Sequence, residues 1–238
     1  MKGVLLAGGN GTRLAPLTLV VNKHLLPVYN KPMVLYPLET LKRAGATDIM
    51  LVTGPEHIGR FMEFLGDGAA YGVSLTYRIQ EKAGGIAEAL GLCSEFADGE
   101  DVHMILGDNI FSQTFVPKKS QYGCTVFLKT TDVESARGFG CAMIEGDKVT
   151  FVEEKPKEPK STLAVTGYYM FSNKAFQFTK GLKPSARGEL EVTDLIDFYI
   201  KNNDCGFAMV DGYWSDAGTF DSLLNASMYI REEAKGME

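Results

Sequence analysis

Along the first half of the chain, short apolar runs alternate with longer stretches of helical spacing. The runs GVLLA (3–7), DIMLVT (48–53), VSLTYRI (73–79) and VHMIL (102–106) are β-rich and bounded by Gly, Asp or Pro. That pattern predicts buried strands. Between them the spacing predicts helices over 32–44, 55–65 and 85–97. Pro32 would sit in the first turn of the first helix, where its missing N–H costs nothing. Strand–helix alternation of this kind predicts an α/β fold with a mostly parallel central sheet flanked by helices.

The second half has a different rhythm. CTVFLKT (124–130), CAMIE (141–145), KVTFVEE (148–154) and AVTGYYMFS (164–172) follow one another with little helix between them. Gly146-Asp147-Lys148 is a hairpin signal. The pattern then returns to α/β, with a helix near 191–202, strands near 205–215 and a terminal helix over about 218–234. No internal repeat or linker interrupts the chain. The simplest organisation is one domain over 1–238 with an additional, smaller sheet region.

Composition narrows the partners. The 238 residues are 45% hydrophobic and carry a net charge of −6, which argues against nucleic acid or an anionic membrane surface. Cys93, Cys124, Cys141 and Cys205 form no C-x-x-C and read as reduced core residues. The first apolar run ends at Ala7, too short for a secretory signal, and no stretch reaches membrane-spanning length. These features predict a cytoplasmic protein.

The candidate chemistry starts at Gly8-Gly9-Asn10-Gly11-Thr12-Arg13. A strand that ends in Gly-Gly-x-Gly lets backbone N–H groups converge on an anion, since no Cβ blocks the approach. The spacing fits neither common phosphate loop. Leu14 stands where G-x-G-x-x-G needs its last glycine, and Arg13 stands where the P-loop needs its second. Arg13 would add a fork-shaped cation for phosphate oxygens.

LAGGNGTRLAPLT (6–18) followed by NKHLLPVYNKPM (22–33) resembles the sugar nucleotidyltransferases, in particular their thymidylyl-transferring branch. The resemblance runs nearly end to end, through LGDNIF (106–111), EEKPKEPKS (153–161), AVTGYY (164–169), LKPSARGELEVTD (182–194) and WSDAGTFDSLLNA (214–226). It implies a Rossmann-like nucleotidyltransferase fold. The nucleotide part would span about 1–110 and the sugar-phosphate part about 111–217. It also implies a short form without the C-terminal helical extension of longer members.

The implied reaction is an Mg2+-dependent, in-line transfer of thymidylyl from dTTP to glucose 1-phosphate, supporting dTDP-sugar and polysaccharide synthesis. The same chemistry with UTP or another sugar phosphate, or a non-catalytic nucleotide-sugar sensor, are the alternatives. By resemblance, Arg13, Lys23, Asp108 and Lys155 are the catalytic residues. Leu6, Gly8, Gly9, Gly11, Thr12, Arg13, Lys23, Gln80 and Gly85 would bind the nucleotide. Gly140, Glu154, Lys155, Val165, Tyr169 and Arg187 would hold the sugar phosphate, and Asp108 and Asp216 the metal. Partners would be these small molecules, with neither nucleic acid nor membrane; a homo-oligomer is left open. The chain departs from the family pattern at Asn22 and His24 around Lys23, at Gly84, at Phe139, and at Glu88, where glutamine is common.

Overall fold

The computed structural model describes residues 1–115 and 120–236. In chain order the elements are β1 (Lys2–Leu6), β2 (Pro27–Val28), β3 (Lys31–Pro32), α1 (Leu35–Arg43), β4 (Asp48–Thr53), α2 (Ile58–Leu65), β5 (Ser74–Ile79), α3 (Ile86–Gly91), α4 (Ser94–Ala97), β6 (Val102–Leu106) and β7 (Ile110–Phe111). Then come β8 (Cys124–Thr130), α5 (Val133–Ala136), β9 (Gly140–Glu145), β10 (Lys148–Glu154), β11 (Leu163–Phe171), α6 (Ala175–Thr179), α7 (Val192–Lys201), β12 (Cys205–Met209), β13 (Trp214–Ser215) and α8 (Phe220–Lys235).

One nine-stranded sheet runs in the order β5-β4-β1-β6-β11-β8-β12-β10-β9. The first four of these strands pair in parallel. β11 is antiparallel to both β6 and β8, and β10 is antiparallel to β12 and β9. Only β11 and β10 therefore run against the common direction. The strands of the second half form their sheet region in continuity with the first, because β11 lies beside β6.

Alternate residues of β1 explain why its sequence is apolar throughout. Val4 and Leu6 join a core with Leu90, Leu195 and Tyr199 on one face. Leu5 and Ala7 join a second core with Leu38, Leu41 and Phe61 on the other. A strand buried on both faces needs no polar alternation. The four cysteines are free and buried, and Cys93, Cys124 and Cys205 belong to the first of these cores. No helix among the described residues is long and apolar enough to cross a membrane.

Two helices differ from the sequence reading. Pro32 does not open α1; it closes a small hairpin, paired with Pro27. The helix begins at Leu35, and Pro37 occupies its first turn, where an N–H would have had no intrahelical acceptor. The backbone N–H groups of Met33 and Val34 donate instead to Leu26 and His24. The stretch 85–97 is two helices rather than one, jointed at Leu92-Cys93, where ψ of Cys93 is 4°. A third small cluster of Val28, Met33, Tyr36, Ile110, Ala217 and Ala226 seats α8 against the hairpin.

Candidate active site

The glycine turn does two things where β1 ends. Gly11 adopts φ 63°, and a Cβ there would stand 2.7 Å from Thr18 Cγ2 and 2.9 Å from Lys23 Cβ. A Cβ on Gly9 would stand 3.2 Å from Lys23 Cε. The glycines thus expose backbone N–H groups and also admit the Lys23 stem beneath the turn. Lys23 Nζ reaches Asp108 Oδ2 at 2.5 Å, and both side chains are only 12% exposed.

Asp108 sits just past the carboxyl end of β6, where open α/β sheets bind ligands. It lies where two clefts meet. One is lined by Leu6, Gly8, Gly9, Lys23, Gln80 and Gly85. The other is lined by Gly140, Glu154, Lys155, Val165, Tyr169 and Asp216. Ile86, Leu106 and Asp108 line both. Arg13 faces the second cleft and lies 3.7 Å from Asp216 Oδ2. Gly11 and Thr12 line neither cleft and serve as the turn's frame. Arg187 also stands outside the wall of the second cleft and reaches Glu154 Oε1 at 3.7 Å.

The two aspartates have opposite electrostatics. Burial is the largest single influence on Asp108 and would raise it. The Lys23 charge, the charge His24 gains only in acid, and hydrogen bonds from Lys23 and Asn109 together outweigh it, and the carboxyl stays below its ordinary value. Asp216 is raised, first by burial and then by the charge on Asp108; the Gly218 N–H, Arg13 and Lys23 only partly offset this. His24 is pushed down to about 3, by burial first and by Lys23 second. Asn22 Oδ1 lies 2.8 Å from its Nδ1. His24 is therefore a neutral wall of the nucleotide-side cleft and adds no charge.

Several supporting residues escape a reading of motifs alone. Asn109 donates to Asp108 Oδ1 at 2.9 Å. Its own Oδ1 accepts from the Gly167 N–H at 2.9 Å and from Trp214 Nε1–H at 2.7 Å. Gly167 has no side chain because a Cβ would overlap the Asn109 amide. Asn109 thus joins β6, β11 and β13 around the carboxylate. Its adjacency to Asp108 in LGDNIF was the available signal, and nothing in the spacing marked Trp214 or Gly167 as its partners.

On the sugar side, Lys155 follows β10 with φ 45°, and its N–H donates to Phe139 O at 3.1 Å. Its Nζ lies 3.4 Å from Glu154 Oε1. Glu191, absent from the sequence reading, holds the Arg187 guanidinium at two points, 3.2 and 2.8 Å. The hydroxyl of buried Tyr169 stays protonated, since burial and then the Glu154 charge raise it.

The same 185–191 segment touches the base side. Leu190 N–H donates to Gly84 O at 2.7 Å, and Ala87 N–H donates to Leu190 O at 3.1 Å. Gly85 has φ 103°, and a Cβ there would overlap Leu190 O. Glycine is therefore required at 85 by the neighbouring loop as well as by the backbone angle.

A glycine turn, the carboxylates of Asp108, Asp216 and Glu154 and the cations Arg13, Lys23 and Lys155 thus line a two-lobed cleft at the strand ends, with Arg187 just outside it, an arrangement suited to joining two anionic compounds. Residues 2–233 match the family model for nucleotidyl transferases, and the chain belongs to that family. Among its relatives is the glucose-1-phosphate thymidylyltransferase of Neisseria meningitidis serogroup A, 43% identical over 97% of this chain and 83% of that one. The Mycobacterium tuberculosis enzyme of the same name is 39% identical over 100% of this chain and 85% of its own. A Bacillus anthracis protein designated a glucose-1-phosphate thymidylyltransferase, crystallised with a sucrose, superposes with TM-score 0.91 and 49% identity over 97% of this chain and 95% of that chain. A UDP-glucose pyrophosphorylase bound to UDP-glucose shares the fold at 22% identity, with TM-score 0.86 over 98% of each chain.

Proposed function

We propose that this nucleotidyltransferase moves a thymidylyl group from dTTP to glucose 1-phosphate, releasing pyrophosphate and dTDP-glucose. The observation that carries this reading is the meeting of two separate clefts at Asp108. In this assignment residues of about 1–110 hold the nucleotide, about 111–217 hold the sugar phosphate, and α8 braces the hairpin behind Lys23.

The nucleophile is a phosphate oxygen of the sugar phosphate. Its second pKa is about 6, so it is ionised near neutrality and needs no general base. The barrier is repulsion between anions. Two unit charges about 4 Å apart cost roughly 4 kcal/mol at an effective dielectric near 20. Lys23 and the turn's N–H groups would receive the triphosphate, with Arg13 at the boundary of the two lobes. Lys155 and Arg187 would hold the sugar phosphate, and Glu154 would accept from the sugar hydroxyls. Aligning the two phosphates in line supplies the rest.

Asp108 and Asp216 fit a divalent cation. They are a buried and a half-buried carboxylate that repel each other, and the cations around Asp216 do not neutralise it. Among the described residues no group of three His, Cys, Asp or Glu side chains gathers. That suits Mg2+, which binds through one or two carboxylates plus substrate phosphate and water. Such an ion would withdraw charge from the α-phosphate as pyrophosphate leaves.

Pyrophosphate release across a grid of nucleoside triphosphates and sugar 1-phosphates tests the reading. The highest kcat/KM is expected for dTTP with glucose 1-phosphate. Binding without turnover in every combination would show a sensor instead.

A further inference from the structure

Glu88, in the first turn of α3, has no part in the assignment above. Its Oε2 accepts from Gln80 Nε2–H at 2.6 Å, and the Gly85 carbonyl accepts from the same nitrogen at 3.2 Å. A carboxylate and a carbonyl can only accept. The end of the Gln80 amide that faces them must therefore be its NH2. The oxygen faces the other way, 3.1 Å from the point where a Cβ on Gly8 would stand. Gln80 is 8% exposed and lines the nucleotide-side cleft. Gly84 makes the contact possible, since a Cβ there would overlap Glu88 Oε2.

We infer that Glu88 is a positioning residue that sets base specificity by locking the Gln80 amide with its oxygen toward the cleft. The cleft then offers a hydrogen-bond acceptor to the incoming base. A pyrimidine whose N3 carries hydrogen, thymine or uracil, satisfies that acceptor. Cytosine presents a bare N3, so two acceptors would face each other in a site shielded from water. A site built around one hydrogen bond rejects the analogue that lacks it, because the buried polar group is left unpaired. A carboxylate suits this task because an amide at position 88 could offer either end to Gln80.

The inference rests on the nucleotide assignment of the previous subsection, and one experiment separates the two. The purified protein and its E88Q, E88A and E88K variants are assayed for kcat/KM with dTTP and dCTP at fixed glucose 1-phosphate, with thermal melts alongside. The unaltered protein is expected to favour dTTP by at least about 100-fold. E88A lowers that ratio by about 10-fold, the loss falling on KM for dTTP rather than on kcat, as expected for one freed hydrogen-bonding group. E88Q, which can still accept, lowers it less. E88K supplies a donor, turns the amide round and moves the ratio furthest toward dCTP. A ratio unchanged in E88Q and in every other variant that melts like the unaltered protein overturns the role of Glu88 while leaving the nucleotide assignment standing. Absence of dTTP turnover in the unaltered protein overturns both.

Discussion

Lys23 and Arg13 are both cations near an aspartate, yet they stand on different footings. Lys23 is buried against Asp108, whereas Arg13 is 62% exposed and 3.7 Å from Asp216. Removing one partner of a buried pair leaves the other charge uncompensated. Lys23→Met is therefore expected to lower folding stability by roughly 2–4 kcal/mol. Arg13→Met should cost less than about 1 kcal/mol. Urea denaturation distinguishes them, and equal losses would contradict the buried-pair account. In assays of pyrophosphate release, Asp108→Asn is expected to reduce turnover by about 100-fold or more. Because it leaves Lys23 as the unpaired member of the same buried pair, its melt should fall as well, and turnover is compared at a temperature where the variant is folded.

The same scale shows what the sequence could reveal of the site. Gly8, Gly9, Asp108 and Lys155 stand at ends of strands that the hydrophobic pattern located. Their convergence was legible once the strands were placed and the family resemblance supplied partners. Glu191 and Trp214 were not. Trp214 acts on Asn109, more than a hundred residues away. Glu191 holds Arg187 only four residues away but across a loop, where the i,i+4 rule of helices does not apply.

At the scale of elements, the long runs were read well for a physical reason. DIMLVT, VHMIL, CTVFLKT and KVTFVEE coincide with β4, β6, β8 and β10, because continuous or alternating burial leaves a strong imprint. The two-residue strands β7 and β13 leave none, since two residues show no period. The Pro32 reading failed because a proline is as acceptable in a hairpin strand as in a first helical turn, and only tertiary pairing decides between them. Two element-level tests follow. Thr219 caps α8 through a reciprocal pair with Ser222, so Thr219→Ala should cost about 1 kcal/mol in chemical denaturation. Gly85→Ala forces a strained angle and displaces Leu190, the link between α3 and the 185–191 loop. It should raise KM for both substrates together; a rise confined to the nucleotide would show that the loop does not join the two lobes.

Across the whole molecule, one sheet carries both lobes, and the order of its strands could not be read from the chain. β11 inserts beside β6, more than fifty residues later in sequence, and that single placement brings Tyr169 and Val165 to the Asp108 cleft. Global stability should also depend on pH through two buried histidines. His24 is lowered to about 3 and His103 to about 4, in each case chiefly by burial. The unfolded chain protonates them near 6.5, while the folded protein keeps them neutral. Their stabilising contribution is thus complete above pH 6.5 and is lost as pH falls toward 4. The loss should be roughly 1–2 kcal/mol for each histidine between pH 6.5 and 4.5, measured by denaturation across that range. His103→Gln should flatten the profile; a profile already flat in the unaltered protein would contradict the burial argument.

In the proposed reaction the sugar phosphate in one lobe attacks the nucleotide's α-phosphorus in the other directly, with no protein nucleophile between them. Stereochemistry reads this without ambiguity. With dTTP carrying a single chiral thio substitution at the α-phosphorus, one in-line displacement inverts the configuration. An inverted thio-substituted dTDP-glucose is the expected product; retention, the mark of two successive displacements through an enzyme-bound nucleotidyl group, would rule out direct attack.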